Sequence, residues 1–365
     1  MTFKTDKMEE IRNAVNVCTM CGFCKSVCPS FKAIGWDSAL SRGRIVLSYG
    51  LLTGEIPADD SVVENMYTCT TCADCVRRCP SKVKIVDIIE MCRADLVKNG
   101  HILPKHKAVC DNILSTNNPF GEKKSVVETL GRQPKKAEIG YFAGCTATYR
   151  SKKTAQASLS ILDKLGVDFT TVDEVCCGSV MQRVGWPIED IKKYMQRNVD
   201  AIKSLGIKTL VLSCAGCYRM FKEEYPKFVD VPFKVQHMTE FLAEQDLKLK
   251  SMDGIVTYHD PCHLGRHSGV YDAPRKVIGK IPGITFKEME FTRNLAHCCG
   301  GGGGVRSAYP EESKRIASTR VDEAVATGAK TIITTCPFCV SNLILGQGDR
   351  DIKVVDLTEL IDDLL

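Results

Sequence analysis

Short apolar runs alternate with longer amphipathic segments through the second half of the chain. Two of the longer segments, residues 187–206 and 310–328, place apolar side chains at helical spacing. Strands that alternate with helices in this way predict α/β layers with mainly parallel sheets. The predicted strands are residues 138–144, 167–172 and 208–213, followed by residues 254–260, 284–291 and 330–335.

The first third of the chain has a different, helical pattern. Helices are predicted over residues 7–16, 38–52, 60–67 and 83–98, and residues 117–136 are polar and interrupted by Gly and Pro. This polar stretch predicts a boundary between domains. We therefore expect an α+β multi-domain protein, with a mainly α-helical, ferredoxin-like module followed by two duplicated α/β domains. The predicted domains are residues 1–130, 137–250 and 251–365.

Cysteine content changes this picture more than any other feature of the composition. The 365 residues include 20 cysteines, yet the N-terminus has no apolar leader and no apolar run reaches the length of a membrane span. We expect a cytoplasmic protein, at most peripheral to a membrane through a partner, whose thiols bind metal instead of forming disulfides. The net charge of +5 comes from scattered Lys and Arg residues, so no nucleic-acid partner is expected.

Two identical motifs in the helical third give the first metal prediction. Residues 18–28 (CTMCGFCKSVC) and 69–79 (CTTCADCVRRC) share the spacing C-x2-C-x2-C-x3-C and are each followed by proline. Two-cluster bacterial ferredoxins use this run, and their fourth cysteine binds the other cluster. A pair of zinc knuckles is the alternative that these cysteines allow. The cubane interpretation assigns one [4Fe-4S] cluster to Cys18, Cys21, Cys24 and Cys79, and a second to Cys69, Cys72, Cys75 and Cys28.

A longer cysteine pattern occurs twice in the α/β part. Each copy has a single cysteine, a Cys-Cys-Gly step and a C-x2-C pair, and the spacing between the last two features is the same in both copies. Five thiols exceed what a tetrahedral zinc ion or a simple cubane needs, so the pattern predicts an unusual iron–sulfur site that is present twice. The first set is Cys145, Cys176, Cys177, Cys214 and Cys217, and the second set is Cys262, Cys298, Cys299, Cys336 and Cys339. Cys92 and Cys110 lie outside every motif, and we expect them to be buried, inert thiols.

Glycines follow the Cys-Cys pair in both sets. The first pair is followed by one glycine and the second by a run of five, residues 300–304. Without Cβ atoms, the backbone can approach a cluster closely, and its N–H groups can donate to sulfide or to an anionic ligand. The candidate cofactor-binding residues are therefore Gly178, Gly300, Gly301 and Gly302.

Histidines are concentrated near the second set. His263 and His297 are each adjacent to a cysteine of that set and are the stronger candidates for donating protons or hydrogen bonds. His259 and His267 fit an ordinary core or surface histidine equally well. Pro261 argues against a continuous helix that would place three histidines on one face.

These motifs resemble the cysteine-rich CCG domain of heterodisulfide reductases and their relatives. The whole chain is similar to the D-type catalytic subunit of the methanogen enzyme, and also to the iron–sulfur subunit of glycolate and D-lactate oxidases. The resemblance implies that each five-cysteine set holds a non-cubane [4Fe-4S] cluster, with the substrate disulfide between the two clusters. Zinc at the first set is the minority alternative within this family.

Two functions compete on this basis. In the first, the protein is an oxidoreductase that cleaves a small anionic disulfide, with electrons supplied by a membrane cytochrome b-type subunit or a soluble flavoprotein. His263, His297 or Asp260 would supply protons, and arginines near the motifs would bind the anionic groups. Those arginines are Arg150, Arg183, Arg219, Arg266 and Arg306.

The second function is electron transfer for an FAD-linked 2-hydroxy acid dehydrogenase. The chain contains no nucleotide-binding G-x-G-x-x-G motif or P-loop, so any flavin must belong to a partner. The complete cysteine sets and the glycine run favour disulfide reduction over the relay function. A zinc-stabilised scaffold without redox activity is a third interpretation, which the ferredoxin runs disfavour.

Overall fold

Helices form the first part of the protein. The computed structural model describes residues 3–365, and none of the helices in this range is both long and apolar enough to cross a membrane. The N-terminal helical module comprises α1 Asp6–Glu9, α2 Arg12–Asn16, α3 Pro29–Ile34, α4 Ser41–Thr53, α5 Asp60–Tyr67, α6 Asp74–Arg78, α7 Ile85–Lys98, α8 Pro104–Thr116 and α9 Val126–Leu130.

The four helices predicted from the sequence are present with small changes. The segment 7–16 is divided between α1 and α2, and the segment 38–52 begins with a 3-10 turn before α4. Asp59 begins α5 by accepting a hydrogen bond from the backbone N–H of Val62, which satisfies one of the free donors of the first turn. Gly54 ends α4 in the left-handed region, with a φ of 73°.

Two α/β units follow. The first unit comprises β1 Ile139–Phe142, α10 Cys145–Tyr149, α11 Lys152–Lys164, β2 Phe169–Thr171, α12 Ser179–Val184, α13 Ile188–Ser204, β3 Thr209–Leu212, α14 Ala215–Arg219, β4 Lys234–His237 and α15 Met238–Ala243. The second unit comprises β5 Gly254–Tyr258, α16 Asp272–Ile278, β6 Ile284–Phe286, α17 Val305–Ala308, α18 Pro310–Val325, β7 Thr331–Thr334, α19 Pro337–Gln347, β8 Lys353–Asp356 and α20 Leu357–Leu364.

Each unit is built on a four-stranded, fully parallel sheet. The strand orders are β2-β1-β3-β4 and β6-β5-β7-β8, so the two sheets have the same topology. The six predicted strands are confirmed, and each is shorter than its predicted segment. The edge strands β4 and β8 were not predicted, because each begins with an exposed lysine and ends on a polar residue, His237 or Asp356, that caps the next helix.

The two units pack against each other through helices at equivalent positions. Helix α11 of the first unit contacts α20 of the second, and α15 of the first contacts α16 of the second. Buried apolar side chains such as Ile161 and Leu162 on one side and Leu357 and Ile361 on the other form one continuous core at this junction. This pseudo-twofold packing fixes how the two sheets face each other.

The polar segment between the helical module and the first sheet is ordered. Ser125 accepts a hydrogen bond from the N–H of Glu128, and the Glu128 carboxylate accepts one from Ser125, which is the capping box that begins α9. Val126 and Val127 are buried, and the Tyr149 hydroxyl donates to the carbonyl of Lys124 at 2.8 Å. The segment therefore packs on the first α/β unit.

A single buried arginine connects all three parts of the chain. Arg93 on α7 is fully buried, and its guanidinium donates to carbonyl oxygens only. The acceptors include Cys69 in the helical module at 2.7 Å, Arg183 in the first unit at 2.7 Å and Gly303 in the second unit at 2.9 Å. Because these carbonyls belong to three separate segments, the guanidinium sets the spacing between them.

The glycine run lies against the helical module at the same place. A Cβ atom on Gly303 would lie 2.2 Å from the carbonyl oxygen of Cys69, and one on Gly302 would lie 2.8 Å from that of Thr70. Gly303 also has a φ of 63°, which disfavours other residues. Close backbone contact with the loop of the second ferredoxin motif is therefore one structural reason for the run.

Replacing Arg93 with methionine tests this connection. The change removes the donor from buried carbonyl oxygens in three segments, and each unsatisfied acceptor costs about 1 kcal/mol or more. We expect the free energy of unfolding to fall by about 3 kcal/mol, measured by anaerobic guanidinium denaturation with circular dichroism. Arg132→Met is the control, because the guanidinium of Arg132 is exposed and pairs with Asp163. Equal stability of Arg93→Met and the wild type would contradict the role given to Arg93.

Candidate iron–sulfur centres

The first group of ferredoxin-motif cysteines lies at the protein surface. Cys18, Cys21, Cys24 and Cys79 line one hollow, which is closed on its inner side by apolar side chains such as Ile45. The cysteine that completes this group comes from the second motif. Cys21 is exposed, so the group is accessible from solvent.

The second group lies deeper. Burial raises the pKa of Cys28 and of Cys75, and the neighbouring thiols of Cys69 and Cys72 raise both pKa values further, so the four cysteines lie close together. Each run thus contributes its fourth cysteine to the group formed by the other run. The grouping agrees with the spacing argument.

The α/β units bring their cysteines to the carboxyl ends of the sheet strands. Cys145 follows β1 and Cys214 follows β3, each at the start of a short helix. Cys262 follows β5 and Cys336 follows β7 at the corresponding strand ends. Because carboxyl ends of parallel strands lie at one edge of a sheet, the single cysteine and the C-x2-C pair of each set converge there.

Within each set the five thiols form an unbroken series of contacts. Neighbouring thiols in each series are close enough to interact electrostatically, and the sulfur atoms of Cys299 and Cys339 are 3.4 Å apart. The order of contacts is the same in both units: Cys145–Cys176–Cys177–Cys217–Cys214 in the first and Cys262–Cys298–Cys299–Cys339–Cys336 in the second.

Two further contacts join these series to each other and to the helical module. The thiols of Cys214 and Cys336 interact across the junction of the two units. The thiol of Cys72, from the second ferredoxin group, interacts with that of Cys298. The cysteine groups therefore form one continuous array, from the second ferredoxin group through the second set to the first.

One cavity is shared by both five-cysteine sets. It has a volume of about 430 Å³, and nine of the ten cysteines border it, with Cys298 as the exception. Its remaining wall is mostly apolar and includes Val109, Phe120 and Phe338, whereas Arg183 and Arg306 provide charge. The sulfur atoms of both sets therefore face one continuous space.

Two of the candidate glycines donate hydrogen bonds to sulfur atoms, and the other two border the cavity. The N–H of Gly178 donates to the sulfur of Cys176 at 3.5 Å, and the N–H of Gly300 donates to that of Cys298 at 3.3 Å. Gly301 and Gly302 border the cavity. Both sets thus receive the same backbone hydrogen bond from the residue after the Cys-Cys pair.

Of the three candidate proton donors, the structure brings only His263 to the cavity. Burial, together with the charge of Arg219, lowers the pKa of His263, so the ring is neutral. The guanidinium of Arg219 lies 3.4 Å from Nε2 of His263. Because arginine can only donate, Nε2 accepts and the ring hydrogen is on Nδ1.

Asp260 and His297 do not border the cavity. Both carboxylate oxygens of Asp260 accept from Arg275, at 2.8 and 2.9 Å, and these bonds hold the Asp260 pKa low against the opposing effect of burial. His297 pairs with Glu323 and its ring stacks on Phe291 in a shallow hollow at the surface. An ion-paired carboxylate and a ring outside the cavity are poorly placed to protonate a bound molecule.

The histidine that approaches the second set is one that the sequence did not single out. A ring nitrogen of His259 lies within 4.8 Å of the sulfur atoms of Cys299 and Cys339. His267 instead donates from Nε2 to the carbonyl of Thr71 at 2.9 Å, and so connects the second unit to the ferredoxin loop. No continuous helix forms over residues 259–267, as Pro261 indicated.

The arginines near the motifs separate into paired and unpaired residues. Arg150 pairs with Glu122, Arg183 with Glu90 and Glu224, and Arg219 with Glu224. Arg266 donates to the carbonyls of Cys72 and Ala296. Among the described residues, Arg306 has no carboxylate partner, and its half-buried guanidinium borders the cavity.

Buried cations show that the second ferredoxin group suits an anionic cofactor. Arg44 and Arg93 are fully buried, and within residues 3–365 neither has a carboxylate partner. The charge of Arg44 opposes the rise in the Cys28 pKa that burial causes. The charge of Arg266 likewise opposes the rise in the Cys72 pKa that Cys298 and burial cause. Burial lowers the pKa of Arg93, and the charge of Cys69 opposes this change. A buried cation requires a compensating negative charge, and thiolates that hold a cluster supply it.

The α/β sets also fit a sulfur-ligated metal group. All 20 cysteines lie within the described residues and none forms a disulfide. Hydrogen bonds from Cys176 and Cys217 lower the pKa of Cys177, and those from Cys298 and Cys339 lower that of Cys299, so each set contains a thiol poised to ionise. A helical module with two four-cysteine groups, followed by two α/β units that place nine of their ten motif thiols around one cavity, defines an iron–sulfur redox protein.

Comparison with known proteins identifies the family. The 4Fe-4S dicluster domain matches residues 14–83, and the cysteine-rich domain matches residues 139–222 and 256–344. The chain is 39% identical to the D-type subunit of dihydromethanophenazine:CoB--CoM heterodisulfide reductase from Methanosarcina mazei, over 95% of this chain and 93% of the relative. This chain belongs to the family of D-type heterodisulfide reductase iron–sulfur proteins.

Other relatives broaden this assignment. EtfAB:quinone oxidoreductase of Syntrophomonas wolfei is 31% identical over 82% of this chain, which corresponds to 46% of that protein. A hypothetical protein from Helicobacter pylori has a similar fold, with a TM-score of 0.60 at 12% sequence identity, covering 98% of this chain and 72% of the other. The named relatives share an oxidoreductase role, and the chain is an iron–sulfur redox subunit.

The two cysteines outside the motifs are buried in the helical module. Burial raises the pKa of both Cys92 and Cys110 to about 12, so both are neutral thiols. Neither borders the shared cavity.

His106 provides a test of how the glycine run is held beside this cavity. Its Nε2 lies 2.9 Å from the carbonyl oxygen of Gly304, its ring packs on Tyr67, and Nδ1 is buried without a partner among the described residues. Burial lowers the pKa of His106 to about 4, against the opposing effect of the Gly304 carbonyl. The neutral ring therefore donates from Nε2, and protonation of Nδ1 is unfavourable in the folded state.

Acidification should therefore destabilise the protein through His106. Its contribution is complete above the unfolded-state pKa of about 6.5 and is lost as the pH falls towards 4. Between pH 7.5 and pH 5, we expect the stability advantage of the wild type over His106→Gln to shrink by about 2 kcal/mol. Denaturant titrations at both pH values measure this difference, and His101→Gln, at a partly exposed position, is the control. An advantage that does not change with pH would contradict the assignment.

Proposed function

We propose that this protein reduces a small anionic disulfide to two thiols in the cavity between its two five-cysteine sets. The observation that carries this proposal is the contact between Cys214 and Cys336, which places both sets on one cavity of about 430 Å³. Reduction of a disulfide consumes two electrons and two protons and releases two thiols. Two adjacent sites, one for each sulfur of the substrate, match this stoichiometry.

The proposed cofactors are two cubane [4Fe-4S] clusters in the helical module and two non-cubane [4Fe-4S] clusters, one in each five-cysteine set. When bound, these groups supply single-electron transfer and iron atoms that can bind sulfur. The first cubane would be held by Cys18, Cys21, Cys24 and Cys79, and the second by Cys28, Cys69, Cys72 and Cys75. The sets that begin with Cys145 and Cys262 would hold the other two.

The order of the cysteine groups supports an electron path through the chain. Cys21 is exposed, which suits delivery of electrons by a membrane cytochrome b-type subunit or a soluble flavoprotein. The second ferredoxin group is buried and touches the second set through Cys72 and Cys298. The steps from the second ferredoxin group to the second set, and from there to the first set, therefore connect neighbouring groups.

The cavity wall supports a substrate with an apolar body and a negative charge. Val109, Phe120 and Phe338 offer an apolar surface to an alkyl chain, and Arg306 offers the one guanidinium of the cavity that no described carboxylate neutralises. Arg183 is already neutralised by two glutamates. An anionic group on the substrate would therefore bind at Arg306.

His263 lies between the two sets, where its ring can donate a hydrogen bond to a substrate bound at either set. Its Nδ1 lies close to Gly216, where the cavity passes between the two units. The Nδ1–H group can donate a hydrogen bond that stabilises the thiolate formed as the disulfide bond breaks. Arg219 holds the ring in this tautomer from the other side.

A relay function is the second candidate, because EtfAB:quinone oxidoreductase is among the relatives. In that case the chain would transfer electrons for a flavin-dependent dehydrogenase and would not bind a disulfide. The two functions differ in whether the isolated chain releases thiols.

The direct test supplies the purified protein with electrons from a low-potential dye. With the coenzyme M–coenzyme B heterodisulfide as the substrate, we expect two thiols to be released for every two electrons consumed, without any partner protein. Thiol titration and dye absorbance measure the two quantities. Dye oxidation that depends on an added dehydrogenase partner, without thiol release, would support the relay function and overturn the proposal.

Replacement of Arg306 tests the substrate charge. Loss of a charge-assisted hydrogen bond of about 1.5 kcal/mol or more raises KM roughly tenfold or more. We expect this increase for Arg306→Ala with little change in kcat, because Arg306 binds the substrate away from the sulfur atoms. Arg306→Lys keeps the charge and should show a smaller increase.

Two controls sharpen that measurement. Arg150→Ala removes an exposed, ion-paired arginine outside the cavity and should leave KM unchanged. An uncharged disulfide substrate should show the same KM with the wild type and Arg306→Ala. An unchanged KM of Arg306→Ala for the anionic substrate would contradict the proposed role.

A further inference from the structure

A buried histidine faces the second five-cysteine set, and its tautomer can be assigned. Nε of Arg320 donates to Nδ1 of His259 at 3.1 Å, and both residues are buried. Because arginine cannot accept, Nδ1 of His259 is the acceptor, and the ring hydrogen of the neutral imidazole is on Nε2. Nε2 has no hydrogen-bond partner among the described residues, and a ring nitrogen of His259 lies within 4.8 Å of the sulfur atoms of Cys299 and Cys339.

This tautomer makes His259 a hydrogen-bond donor and disfavours it as a metal ligand. Binding of a metal through Nε2 would require removal of that hydrogen while Nδ1 still accepts from Arg320, which leaves an imidazolate anion. Arg320 is fixed in place by Glu323 and by the carbonyl of Phe291, 3.0 Å away. The Nε2–H group is therefore free to donate to the sulfur atoms.

The first set lacks this donor. The position three residues before the first cysteine is His259 in the second unit and Phe142 in the first. Phe142 is buried and packs edge-to-face on Phe221, with ring centroids 4.9 Å apart. A phenyl ring offers no donor to sulfur, so the two sets differ at this place.

Other donors around the two sets do not compensate for this difference. Gly178 and Gly300 give each set the same backbone hydrogen bond. The position on α13 that corresponds to Arg320 is Asn198, whose side chain bonds to the backbone of Val175 and to the Tyr225 hydroxyl. The hydroxyl of Tyr225 in turn donates to the carbonyl of Cys177 and not to a sulfur.

We propose that Nε2–H of His259 donates a hydrogen bond to a sulfur of the cluster held by the second set, and that this bond raises the reduction potential of the cluster and makes this set the electron-entry site of the cavity. A hydrogen bond to a ligand sulfur stabilises the reduced, more negative state of an iron–sulfur cluster. The second set is also the one that touches the ferredoxin group, through Cys72 and Cys298. The first electron therefore remains at the second set, and the first set is reduced last.

Arg320 is a positioning residue in this arrangement. It contacts no sulfur, but it fixes the His259 tautomer that can donate. The inference rests on the clusters assigned under the proposed function, and it concerns their potentials only. Its test therefore follows the clusters by spectroscopy and does not depend on disulfide turnover.

The test is a redox titration of the whole protein, followed by electron paramagnetic resonance. In the wild type we expect the second half of the chain to show two midpoint potentials. His259→Phe introduces the residue of the first unit and should lower the higher potential alone. At a fixed solution potential, we expect the ratio of reduced to oxidised cluster to fall about tenfold. This change equals a shift of about 59 mV in the midpoint potential for one electron.

Two further variants separate a lost hydrogen bond from a general disturbance. A glutamine side chain can accept from Arg320 and donate to sulfur, so His259→Gln should retain most of the wild-type potential. His259→Leu also removes the donor and should lower the higher potential. Because leucine is smaller than phenylalanine, this variant serves if the phenyl ring does not fit the site. Phe142→Leu, at the equivalent position of the first unit, should leave the higher potential unchanged.

The outcomes distinguish this inference from the proposed function. If both α/β clusters are present and neither potential changes in His259→Phe and His259→Leu, the inference is overturned while the proposed function stands. If His259→Gln lowers the potential as far as His259→Leu, the hydrogen bond is not the cause and the inference also fails. If the wild type gives no cluster signal from the α/β units, the proposed function and the inference fail together.

Discussion

The guanidinium of Arg93 is the interaction on which the arrangement of cysteine groups depends. It donates to one carbonyl in the ferredoxin loop, one in the first α/β unit and one in the glycine run of the second. Five hydrogen bonds satisfy the group, but no carboxylate in residues 3–365 neutralises it. In the proposed account, a thiolate at Cys69 supplies negative charge to this guanidinium, so the residue that joins the three parts would also stabilise an anionic cluster. Folding of the chain and loading of the cofactor would then be linked.

Duplication explains the geometry of the site, and departures from duplication explain its chemistry. The two parallel sheets present equivalent strand ends to each other, which gives two five-thiol sets with the same order of contacts. Three features break the symmetry: His259 in place of a phenylalanine, the free guanidinium of Arg306 among the described residues, and the contact from Cys72 to Cys298. All three belong to the second unit or act on it. In the proposed account, the second set therefore has the higher reduction potential, receives the electrons and lies on the side of the cavity that binds the charged group of the substrate. The first set lies on the opposite side of the cavity.

The sequence predicts this protein best where structure is determined locally. Metal-ligand motifs have fixed spacing, so the 18 motif cysteines and their division into groups could be read directly, and long helices such as α7 follow from apolar periodicity. The strands β4 and β8 were missed because polar residues at both ends leave only one or two apolar residues between them. Asp260 and His297 illustrate a different limit: a position near a cysteine in the sequence does not determine which way a side chain points. Their partners, Arg275 and Glu323, are distant in sequence and turn them away from the cavity.

The central claim is that each of the four cysteine groups, two in the helical module and two in the α/β units, holds an iron–sulfur cluster, and metal analysis tests it most directly. Protein purified without oxygen should contain about 16 iron atoms per chain, with acid-labile sulfide in the amount expected for four [4Fe-4S] clusters and no zinc. About eight iron atoms, accompanied by zinc or by disulfides between the cysteines of the α/β units, would contradict the account.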